Sequence, residues 1–68
     1  MEEFILSEVS EEEYREATTI NPLRLESFNR TDGNLIVVLC DSRENRFVVK
    51  TPRGKRPHYF KVVGIKNS

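Results

Sequence analysis

The chain is short of the residues on which small proteins usually hang their chemistry. Cys40 is the only cysteine among 68 residues, so no disulfide can form within the chain. His58 is the only histidine, and one Cys with one His cannot build the closed four-ligand site that zinc requires. The three glycines stand apart and form no phosphate-cradling loop. No nucleophile, base and orienting group recur in a recognisable set, so the expectation is a non-enzymatic protein with no cofactor and no metal. No apolar run approaches the ~20 residues of a membrane span. Met1-Glu2-Glu3-Phe4-Ile5-Leu6 has acidic flanks and too short an apolar core for a signal peptide. The expected location is therefore reducing, intracellular and cytoplasmic, away from membranes.

A chain of this length makes a single domain, 1–68, with a core worth only about 3–5 kcal/mol. Net charge is zero, but its distribution is uneven. Residues 1–34 carry nine acidic and three basic side chains, residues 35–68 two acidic and eight basic. Such asymmetry fits either a basic binding surface or an acidic helix neutralised by a basic hairpin.

Local signals order the elements. Phe4-Ile5-Leu6 has β-character and places a strand or packing arm in 1–9. Ser10-Glu11-Glu12-Glu13 reads as a capping box, with three glutamates suited to the positive end of a helix dipole. The helix occupies 10–20 and stops at Asn21-Pro22, because the residue before proline avoids the α region. An antiparallel meander follows over 23–65. Asp32-Gly33 is a hairpin signal. Leu35 to Cys40 is an unbroken apolar run that belongs in a central strand. Thr51-Pro52-Arg53-Gly54 fits a type I turn.

The expected fold is α+β and β-rich: one short N-terminal helix packed on a four- to five-stranded antiparallel meander. Its strand count also suits curling into a small SH3-like or OB-like barrel, a likeness of fold alone. The turns predict Phe28 opposite Val37 and Leu25 opposite Cys40. Leu25, Ile36, Val38, Cys40, Phe47 and Val49 then share one face, and Phe28, Leu35, Val37, Leu39 and Val48 the other. The helix offers only Tyr14, Ala17 and Ile20 at helical spacing, too thin a stripe for two apolar faces. Barrel curvature, the 4–6 arm or a second subunit must close the face it leaves. Gly64 is the strand glycine that could ease a bend.

The residues that could bind a partner lie in the basic segment 50–61. Lys50, Arg53, Lys55, Arg56 and Lys61 surround His58, with Tyr59 and Phe60 adjoining. Cations on a loop reach phosphates, and an aromatic on the next strand can stack a base. Pro52 and Pro57 restrict the loop and reduce the ordering cost of binding. Cys40, in an apolar strand beside Asp41, reads as a core residue rather than a reactive thiol. Glu11, Glu12, Glu13 and Glu16 read as helix capping and a solvated face, since a calcium loop needs ligands on a turn. The functional expectation is a binding or regulatory module. It would dock on a protein partner, which could be a second copy as a homodimer, through an apolar sheet face, an edge strand or the acidic helix. The alternative is nucleic-acid binding by the basic hairpin.

Overall fold

The computed structural model describes residues 2–67; Met1, the first residue of the expected arm, lies outside them. The elements are β1 (Glu2–Val9), α1 (Glu11–Ile20), β2 (Arg24–Thr31), β3 (Asn34–Cys40), β4 (Arg46–Thr51) and β5 (His58–Asn67). They form an α+β, β-rich domain with one helix and one antiparallel sheet, in the order β1-β5-β4-β3-β2. Strands β2 to β5 make the expected meander. The Phe4-Ile5-Leu6 segment is an edge strand beside β5, the first of the two forms expected for it. The sheet is open, so the barrel is not formed: β1 and β2 are its two edges, and α1 carries the chain from one to the other.

Each boundary has a local cause. Ser10 caps α1 by accepting the Glu13 N–H at 3.1 Å, while the Ser10 hydroxyl lies 3.4 Å from the Glu13 carboxylate. At the other end, the Asn21 N–H donates to the Ala17 carbonyl and Pro22 ends the helix. Asp32 and Gly33 take φ of 53° and 82°, the paired positive values of a two-residue type I′ hairpin. The 51–54 turn is displaced by one residue. Lys55 N–H donates to the Pro52 carbonyl, which puts Gly54 third in the turn at φ 71°, where a side chain would be strained.

The ladders correct part of the expected register. Phe28 does face Val37, but a bulge at Glu26 moves Leu25 opposite Leu39 and leaves Arg24 opposite Cys40. On the other side, Val37 faces Val49, Val38 faces Val48 and Leu39 faces Phe47. Residues directly opposite share a face. One face therefore carries Leu25, Phe28, Leu35, Val37, Leu39, Phe47, Val49 and Tyr59. The opposite face carries Ile36, Val38, Cys40, Val48 and Phe60. The β4 residues thus fall on the faces opposite to those expected. The cause is the five-residue 41–45 loop, closed by Asp41. The buried Asp41 carboxylate accepts the N–H of Arg43 at 2.8 Å and of Asn45 at 2.9 Å, and the Asn45 side-chain amide at 3.0 Å.

Helix α1 packs on the first of these faces, over β4 and β5. Tyr14 sets its ring edge-on to Phe47, centroids 5.8 Å apart, and stacks on Tyr59 at 4.5 Å. Burial, and then the neighbouring Tyr59, raise the Tyr14 phenol above its ordinary pKa, so it stays neutral. The opposite face has no helix among the described residues. Long cationic side chains lie over it instead. The Arg46 guanidinium sits 5.7 Å from the centroid of Phe4, and the Lys50 ammonium 5.2 Å from that of Phe60. Glu26 holds Arg46 in place at 2.9 Å and raises its pKa. The deepest side chains, Cys40 and Val48 on this face and Phe47 beneath the helix, make a small core. A bulge between β1 and β5 falls where Gly64 faces Ile5, the bend position the sequence indicates.

Candidate interaction surfaces

The residues of the basic segment do not converge on one surface. Successive strand residues point to opposite faces, so β5 separates them. Tyr59 lies on the helix-bearing face with its ring stacked on Tyr14. Lys61, on the same face, lines a cleft of about 230 Å³ with Ala17, Ile20, Asn21, Asp41, Asn45 and Phe47. His58 is on the other face, its Nδ1 3.2 Å from a Glu8 carboxylate oxygen. Lys50 shares that face and is committed to Phe60. Only Arg53, Lys55 and Arg56 stand together, on the exposed β4–β5 loop.

That loop is pinned. The Arg53 N–H donates to the Asn34 side-chain carbonyl at 3.0 Å. The Arg53 side chain lies across Gly33, where a Cβ would stand only 2.6 Å from its Cδ. The two hairpin tips, 32–33 and 52–57, are therefore joined at one end of the sheet. Beside them a cleft of about 430 Å³ is lined by Glu8, Val9, Glu11, Arg56, Pro57 and Tyr59. Its mixed charges give it no single-sign field. The helix glutamates are engaged locally: Glu11 pairs with Arg15 at 2.8 Å, and Glu13 serves the cap. Among the described residues, no group of three or more His, Cys, Asp or Glu side chains gathers as a metal site. No helix there is long and apolar enough to cross a membrane.

A different surface comes from residues outside the basic segment. Leu25 and Phe28 lie on the helix-bearing face, on the far edge strand β2, and are 60% and 62% exposed. Leu35, Val37 and Leu39 lie half-buried beside them on β3. Ile20, at the end of the helix, is also exposed. The helix reaches β4 and β5 through Tyr14, and among the described residues no helix covers the β2–β3 half of the face. The sequence contains the signal for Phe28, opposite Val37. The Glu26 bulge conceals Leu25, which strict alternation would place on the other face. Comparison with protein-family models, with curated proteins and with solved structures finds no match to this chain.

Proposed function

We propose that this chain is a non-enzymatic docking module whose contact surface is the uncovered half of the helix-bearing sheet face, and that its partner is a protein. The observation that carries this reading is the pair Leu25 and Phe28, two large apolar side chains held side by side in water on a strand at the sheet edge. Single exposed apolar residues are ordinary; a contiguous set bordered by polar residues is a mark of an interaction surface. On that face of β2 the polar border is Arg30, opposite Leu35. Covering the exposed parts of Leu25 and Phe28 would contribute roughly 2–4 kcal/mol of hydrophobic free energy. The open edge of β2 adds unpaired backbone groups that a partner strand can bond.

The test is site-specific photo-crosslinking in the cells that make the chain. A photoreactive residue replacing Phe28 should trap discrete protein adducts. The same group replacing Glu3, on β1 at the other edge of the sheet, should trap none. No adduct from position 28 would overturn the reading. Sedimentation of the purified chain then identifies the partner: a mass rising from 8.0 kDa with concentration means a second copy, and a constant mass means another protein.

A further inference from the structure

The joined hairpin tips adjoin the apolar surface at Arg30 and carry a different chemistry. Residues 30–34 and 50–57 together hold five cations, Arg30, Lys50, Arg53, Lys55 and Arg56, against a single acid, Asp32. Outside this end, the acids of the first half lie mainly on β1 and α1. Among the described residues, neither Lys55 nor Arg56 makes an ion pair, and both are exposed. The hydrogen bond from Arg53 to Asn34 and the packing of its stem on Gly33 fix one tip to the other. Arg30 on β2 is brought to the same end, because Arg30 faces Leu35 and Leu35 faces Thr51. Two strand spacings of about 4.8 Å therefore separate Arg30 from the start of the basic loop. A cationic edge fixed in this way loses little conformational freedom when it meets an anion.

We infer that this end of the sheet grips the phosphodiester backbone of nucleic acid, through phosphates alone and without stacking a base. The second half of the inference follows from the aromatics. Tyr59 is stacked on Tyr14, and Phe60 has the Lys50 ammonium over its ring, so neither offers a free face at the tips. Binding is therefore independent of sequence and no tighter for single strands than for duplex, because the aromatics of the basic segment are engaged and the exposed Phe28 stands on β2, two strands from β4 and its loop. The site adjoins the β2 surface at Arg30 but does not depend on a protein partner docking there.

The experiment is a titration of the full chain with a short duplex of arbitrary sequence at low salt, read by amide shifts and by affinity over a salt series. Shifts confined to 30–34 and 50–57 are expected. With four cations free to meet phosphates, the slope of log affinity against log salt should be about −3 to −4. Arg53→Ala with Arg56→Ala should weaken binding more than tenfold and flatten the slope by about 2. Since Arg53 also packs on Gly33, Lys55→Glu with Arg56→Glu is the second variant; it should abolish binding while leaving the spectrum elsewhere unchanged. The inference is overturned if the tips do not shift, if either double variant binds normally, or if a single strand binds tenfold tighter than the duplex. None of these results bears on photo-adducts from position 28, so the two proposals fail separately.

Discussion

Phe47 and Phe28 stand on the same face of the sheet two strands apart, yet one is 6% exposed and the other 62%. The difference lies in what is above them. Tyr14 brings α1 down on Phe47 and Tyr59, whereas among the described residues no helix descends on β2. A ten-residue helix with one aromatic and few aliphatic residues on its inner side can cover about two strands, and this sheet has five. On this face the covered half buries Phe47, and the other half leaves Phe28 exposed. The same residue type thus has opposite consequences on the two sides of one layer.

The sharpest way to break this comparison is to truncate both phenylalanines. Phe47→Ala should cost about 3–5 kcal/mol, as for other buried aromatics. That equals the whole stability expected of a chain this small, so the variant should be largely unfolded by circular dichroism at 25 °C. Phe28→Ala should change the monomer's melting midpoint by less than about 0.5 kcal/mol in equivalent stability, while removing the apolar contact surface. Equal losses would mean that the two halves are not distinct.

Smaller effects sharpen the boundary. Tyr14→Ala removes two ring contacts, each worth about 0.5–1.5 kcal/mol beyond the area buried. A loss of roughly 2 kcal/mol by urea denaturation is expected, with the sheet amides still protected from exchange. Ser10→Ala leaves the Glu13 amide without its cap and should cost about 1 kcal/mol, or roughly 4–8 °C in melting temperature. At neutral pH, Asp41→Asn should do less still, because an amide oxygen keeps one acceptor for the loop. That small cost should vanish in acid. The Asn45 side-chain amide, and then the backbone N–H groups of Asn45 and Arg43, hold the Asp41 carboxyl below its ordinary pKa against the opposing effect of burial. The stability it contributes is complete above the ordinary carboxylate value of about 3.9 and disappears as pH falls through the lower folded value. Thermal melts from pH 7 to 2 should therefore converge for the wild type and Asp41→Asn at the acid end. Parallel curves would remove Asp41 as the clasp of that loop.

What the chain discloses before folding is what depends on neighbours in sequence. Ser10 with Glu13, Asn21 with Pro22, and Asp32 with Gly33 each act within a few residues, and the helix start, helix stop and first hairpin follow from them. The apolar run 35–40 places β3 inside the sheet because no other position could shelter it. Non-local facts are not legible in this way. The β4 faces turn on a five-residue loop whose closure by Asp41 and Asn45 requires the folded backbone. The Glu26 bulge shows no glycine or other local mark, and it reverses Leu25. For the basic segment, the chain shows that cations cluster but not that β5 divides them between faces or that Arg53 ties the loop to Gly33. On the second apolar face the charged ends of Arg46 and Lys50 lie over the rings of Phe4 and Phe60; nothing in a linear reading shows that a charged residue will be drawn to an aromatic there.

The pairing of β1 with β5 joins the first element of this order to the last. As the chain is synthesised, β1 emerges with its backbone groups and Phe4-Ile5-Leu6 unpaired, and its partner strand does not yet exist. The helix and the β2–β3 hairpin can organise meanwhile, since their contacts close short loops. The β1–β5 ladder must close a loop of about fifty residues, from Val9 to Tyr59, so it costs the most chain entropy of any pairing in the sheet and forms late. Until then the nascent chain carries an adhesive, unpaired strand. The acidic residues Glu3 and Glu8, spaced on either side of that apolar triplet, are placed where mutual repulsion between neighbouring nascent chains would keep those strands from pairing with each other.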